Sequence, residues 1–262
     1  MAERPGMTLL QAGNVLAFAA TVVVNSIAGG TRLLGGVNTA DVSALYQTLI
    51  TPTGLTFSIW GVIYALLAVF IVYQLMPAHR RDSFSGRIGY LFILSSALNI
   101  AWLFLWQYEY ITASVVLIFA LLLALAAIYL RLGVGKSQVG RGERLCVHRP
   151  FSVYFGWITI ASIADVSASL VSVGWNGLGI APGTWAQLVT VVAVAITLLT
   201  LATRRDPAYG LVVTWALGGI AANQFSYPGN LLVTEVSDLV VAGATILVLG
   251  TMFVRTRKHL AA

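Results

Sequence analysis

The stretch TPTGLTFSIWGVIY, residues 51–64, turns through Pro52 and Gly54 and then enters a long apolar run. Proline and glycine so placed mark a turn, and the run behind them is long enough for a helix. Phe57, Trp60 and Tyr64 are spaced three and then four apart. At about 100° per residue they fall within roughly 60° of one another on an ideal helix. An aromatic stripe directly after a turn has three readings: a lipid anchor, ordinary packing, or a platform for a flat ligand.

Composition decides the solvent around that helix. The 262 residues are 58% hydrophobic and 9% charged. A soluble domain carries about 25% charged residues, so the chain reads as an integral membrane protein. A membrane helix needs about 20 mainly apolar residues. Runs of that kind occur at about 9–29, 55–76, 88–107, 110–131, 151–173, 184–203, 208–226 and 231–254. The seventh is the weakest by length. The first exceeds the 7–15-residue core of a signal peptide, although small residues near Ser26–Ala28 keep cleavage open as an alternative. The expected fold class is all-α: a polytopic membrane bundle of eight transmembrane helices.

The charges agree with that count. With the N-terminus inside, fourteen of the 15 Lys and Arg residues fall in inside segments, and Arg32 alone falls outside. Such asymmetry follows the positive-inside rule. It places the protein in the cytoplasmic membrane with both termini cytoplasmic, and it explains the net charge of +6 without nucleic acid. Of the outside connections only 30–54 is long, and long loops in compact domains are often functional. The longest inside segment, 132–150, reads as a linker between four spans and four. Cys146 stands alone, which excludes an internal disulfide framework. His79, His148 and His259 lie in polar connecting or terminal segments and give no metal signature.

Ionisable groups are costly inside a bilayer, by about 2.5–3.5 kcal/mol on the insertion scale, and so call for a reason. Asp165 lies well inside the fifth run. Glu235 and Asp238 lie in the first two turns of the eighth, and Asn99 and Asn223 add uncharged polar groups. Asn99, Trp102 and Trp106 form one stripe on the third run. Tyr154, Trp157, Ala161 and Asp165 form another on the fifth, within about 80°. Apart from Tyr154 and Trp157, which lie nearer the inside, these groups concentrate in the outer half of the membrane, beneath the long outer loop, as a pocket with a few convergent polar groups requires. Plainer readings stand beside this one. Trp106, Tyr108, Tyr110 and Trp185 fit interfacial anchors. Asp165 fits an interhelical hydrogen bond, Glu235 and Asp238 fit simple solvation, and Gly218 with Ala222 fits a small-xxx-small packing contact. Leu125, Tyr129 and Arg131 match a weak cholesterol-contact pattern.

Three segments resemble the TspO / translocator protein family, also called tryptophan-rich sensory proteins or peripheral benzodiazepine receptors. YQTLITPTGLTFSIWGVIY resembles its first-loop motif and second helix through Tyr46, Leu49, Pro52, Phe57, Trp60 and Tyr64. ALNIAWLFLW resembles its Leu-Asn-x-x-Trp motif through Leu98, Asn99 and Trp102. VYFGWITIASIAD resembles its fifth-helix Pro-Tyr-x-x-Trp segment through Tyr154, Trp157 and Ala161. The likeness covers about residues 8–178. It implies a five-helix bundle over residues 1–178 whose ligand pocket is capped by the first loop, with 179–262 as an additional three-helix membrane extension ending in a basic tail. The chain departs from the family at several places. Thr53-Gly54 follows Pro52 where the family has a second proline, Leu55 stands at its tryptophan, Asp165 at its asparagine, and Ser169 at its next tryptophan.

The resemblance implies an interhelical site for a flat hydrophobic ligand (tetrapyrrole, sterol or related lipid), with a sensory, regulatory or transport role. The candidate binding residues are Phe57, Trp60, Asn99, Trp102, Trp157, Ala161 and Asp165. The rings would stack on the ligand, and Asn99 and Asp165 would orient its polar edge. Glu235 and Asp238 are candidates for a second wall. A bound tetrapyrrole is the one cofactor-like ligand considered. The expected partners are membrane lipid and a small hydrophobic ligand, with a homodimer as the candidate assembly. The alternative is an ion- or proton-coupled transporter using Asp165 with Glu235 or Asp238. A membrane enzyme is a third reading, against which stands the lack of a clustered nucleophile, base or metal set.

Overall fold

The computed structural model describes residues 5–79, 82–225 and 231–260, with side chains described for 9–79, 82–224 and 238–253. Those residues are helices joined by turns. In chain order they are α1 Pro5–Gly30, α2 Thr39–Leu45, α3 Ile59–Leu75, α4 Ser83–Ile88, α5 Leu91–Gln107, α6 Ile111–Leu132, α7 Arg141–Glu143, α8 Arg149–Ser172, α9 Pro182–Arg204, α10 Pro207–Phe225 and α11 Leu231–Leu260. A 3-10 turn at Gly54–Ser58 leads into α3, and a π turn at Arg144–His148 joins α7 to α8. Among the described residues, five stretches are long and apolar enough to cross a membrane: Leu9–Gly30, Gly54–Leu75, Ile111–Leu132, Arg141–Ser172 and Pro182–Arg204. α5 and the Asp238–Phe253 part of α11 are shorter apolar helices.

Two sequence expectations change here. The segment 132–150 is no simple linker, because its second half is helical and runs directly into α8. Charge pairing holds it: Arg87 pairs with Glu143 and donates to the Leu132 carbonyl at 3.0 Å, and buried His148 lies 3.6 Å from Glu143. Phe57 also leaves the expected helical stripe. It sits in the 3-10 turn, where about 120° separates successive residues, so its phase relative to Trp60 is not that of an α-helix.

By packing, the chain divides into two compact units, Met1–Thr39 with Trp60–Phe155 and Ala40–Ile59 with Gly156–Ala262. In the first, Phe70 is fully buried with Phe84, Phe92 and Phe151 around it, at ring-centroid distances of 6.4, 5.3 and 5.0 Å in edge-on contacts. Such geometry suits the ring quadrupoles. α1 adds a polar seam. Gln11 donates to the Gln74 carbonyl and Asn14 to the Gln74 side chain, both at 3.0 Å. In apolar surroundings such donors turn to protein acceptors because water is not there to take their place. In the second unit α10 packs on α9 and α11, with Tyr209, Val213 and Leu217 buried. Asp206 caps the start of α10 by accepting the Ala208 N–H at 3.2 Å.

Candidate ligand-binding site

Within the first unit, α3, α5 and α8 bring four aromatic rings together. Trp60 stacks on Tyr64 at 5.6 Å, meets Tyr154 edge-on at 6.0 Å and lies 6.4 Å from Trp102. Trp102 in turn stacks on Trp106 at 5.8 Å. The spacing of each helix explains the cluster: residues four apart on α3 and on α5 share a face. Asn99, with no exposed surface, lies one turn from Trp102. Its Oδ1 accepts a 2.7 Å hydrogen bond from Asn25 of α1. Rings and amides therefore share one neighbourhood: flat apolar faces beside a short polar ladder.

Within the second unit, Phe57 meets Trp157 edge-on at 6.0 Å. Asp165, two turns further along α8, is buried at 2% exposure, and Ala161 between them is half-buried. Asp238 is exposed and lines an open groove with Thr184, Gln187, Leu188, Val191 and Leu239. The side chain of Glu235 lies outside the described residues. The expected site residues are thus found as two groups: Trp60, Asn99 and Trp102 in one unit, and Phe57, Trp157, Ala161 and Asp165 in the other.

The long segment between α1 and α3 is held at both ends by side chains that address its main chain. In the first unit Gln107 donates to the carbonyls of Ala28 and Val37 at 3.1 and 3.0 Å, and Trp106 donates to Thr39 at 3.2 Å. Trp106 is 5% exposed. It is an internal clamp and not the interfacial anchor its position suggests. Gly35 makes this approach possible. Its φ is +65°, and a Cβ there would stand 2.0 Å from the Gln107 carbonyl oxygen. In the second unit Trp215 donates to the Thr56 carbonyl at 3.0 Å and Asn223 to Thr51 at 2.9 Å. Gln224 donates to Leu49, and the Thr53 N–H donates to the Gly219 carbonyl at 3.1 Å.

Tyr108 and Tyr110 remain exposed, as anchors would be. Gly218 and Ala222 are also exposed, so the close contact on α10 is made by Gly219, one residue or about 100° around the helix. Leu125 and Tyr129 of the cholesterol-contact pattern are buried, and Tyr129 packs on Phe155 at 5.1 Å.

A family pattern described as TSPO-like protein matches residues 10–253. The chain belongs to the TSPO-like protein family. The match runs past residue 178, where the likeness read from motifs ends, and takes in α9, α10 and most of α11. No curated protein and no solved structure matches this TSPO-like chain. Sequence reasoning missed Asn25, Gln107 and Gln224. Asn25 carried a signal: with Gln11, Asn14 and Thr21 it repeats at near-heptad spacing along an otherwise apolar helix.

Proposed function

We propose that this TSPO-like membrane protein binds a flat hydrophobic ligand, a tetrapyrrole, sterol or related lipid, and serves a sensory, regulatory or transport role. The observation that carries the reading is the cluster of Trp60, Tyr64, Trp102 and Tyr154 beside the Asn25–Asn99 pair. Indole faces stack on planar ligands, and a neighbouring amide orients a polar edge. Phe57 and Trp157 offer a second aromatic pair, with Ala161 and Asp165 along the same helix. In this reading all eight apolar runs span the cytoplasmic membrane, and both termini are cytoplasmic. The charge asymmetry supports that orientation.

Tryptophan-fluorescence quenching of the purified protein by a panel of porphyrins, sterols and retinoids tests the proposal. Saturable quenching by one class, weakened by Trp60→Ala and Trp102→Ala, is the expected result. Wild-type affinity in both variants would refute it. A second reading rests on Asp165. A carboxylate buried this fully in a membrane helix is a candidate coupling group for a proton- or ion-driven carrier, with Glu235 or Asp238 as its companion. Flux into proteoliposomes that collapses in Asp165→Asn, in protein that quenches with none of the panel, would favour it.

A further inference from the structure

Residues 46–53 form no helix or strand, so their carbonyls lack the partners that regular structure supplies. Main-chain groups left unpaired away from water are costly, and more so beside a bilayer. Local turns pair the Thr48 and Thr53 carbonyls, and one helix supplies further partners. Trp215, Gly219 and Asn223 recur every four residues on α10 and share one face. They engage Thr56, Thr53 and Thr51 in reverse order along the loop, and Gln224 continues the series to Leu49. The Trp215–Thr56 bond joins residues 159 apart in sequence, so this is tertiary structure and not local turn chemistry. Gly219 is needed for the approach, because a Cβ there would lie 1.9 Å from Thr56 Oγ1.

The chain has Thr53-Gly54 after Pro52, a pairing with far more conformational freedom than two successive prolines. We propose that Trp215, Gly219, Asn223 and Gln224 are positioning residues. They hold the main chain of 49–56 from outside and thereby fix Phe57 against Trp157. α10 supplies by hydrogen bonding the stiffness that a second proline would have built into the loop. The effect on a ligand rests on the binding role proposed above. The hold on the loop does not.

The test is hydrogen–deuterium exchange on the full chain in nanodiscs, read over 46–58, with dissociation of protoporphyrin IX measured on the same samples. Asn223→Leu removes a donor at similar size, and Trp215→Phe is the milder companion. In each, exchange at Thr53 and Thr56 should quicken about tenfold, while α1 and α6 exchange as in wild type. Porphyrin release should quicken several-fold. Asn223→Gln, which keeps the amide donor, should restore both. Wild-type loop protection in both donor-less variants would overturn the proposal. So would a loosened loop with unchanged porphyrin release in protein whose binding depends on Trp157. If wild-type protein binds no porphyrin, the ligand reading falls, and loop exchange alone then decides whether α10 holds the segment.

Discussion

Gly218 and Gly219 are neighbours on α10, yet alanine should have opposite effects at the two positions. At Gly219 the new Cβ would stand 1.9 Å from Thr56 Oγ1, 2.7 Å from its Cγ2 and 2.8 Å from its Cβ. Ordinary carbon contacts lie near 3.5 Å, so the loop must withdraw by about 1.5 Å. That shift would stretch the Thr53–Gly219 and Trp215–Thr56 hydrogen bonds, now 3.1 and 3.0 Å, beyond useful length. Two lost bonds cost about 2 kcal/mol, or retained bonds cost about 1–3 kcal/mol in overpacking. Replacing a helical glycine by alanine returns about 1 kcal/mol. Gly219→Ala should therefore destabilise by about 1 kcal/mol net, rising to about 2 kcal/mol at the upper end of the overpacking range. Gly218 has nothing within 4 Å of a built Cβ, so Gly218→Ala should gain up to about 1 kcal/mol. Denaturant unfolding in mixed micelles measures both. In a Thr56→Ala background the two closest obstacles are gone, and the Gly219→Ala penalty should shrink. Equal stability of the two glycine variants would refute the close approach of loop and helix.

Other outcomes follow from the same geometry. Asn25→Leu removes the donor to the buried Asn99 oxygen and should cost about 1–2 kcal/mol in thermal unfolding; wild-type stability would show the pair to be inert. Gly35→Ala meets both a positive φ and the Gln107 carbonyl, so exchange at residues 28–39 should rise and stability fall by at least about 1 kcal/mol. Trp60→Ala removes contacts to three rings and should weaken porphyrin binding about tenfold or more without blocking membrane insertion, as read by quenching and by membrane fractionation.

The positions of the helices were legible because hydrophobic run length is a strong and local signal. α6 and α9 begin and end within two residues of the runs read from sequence. The stripe of Asn99, Trp102 and Trp106 was also legible, since helical spacing alone puts them on one face, and all three are buried. Phe57 was misread because periodicity assumes one helix type, whereas the turn before α3 is wound more tightly. Trp106 was misread because an indole near a helix end looks the same in sequence whether it meets lipid or a carbonyl such as that of Thr39. The α10 clamp was not legible at all. Asn223 announced itself as a polar group in an apolar run, but its partner is a main-chain atom, and main-chain atoms carry no sequence signature.

That choice of partner leaves the loop free to drift. The groups that hold 28–56 grip oxygens and an amide present at nearly every residue type, so apart from close approaches such as Gly35 and Thr56 the grip does not choose the side chains between them. Leu55, 74% exposed, is one such position. A segment fastened in this way can be re-keyed: new chemistry can be written onto its exposed side chains, one substitution at a time, while the course of its backbone stays the same.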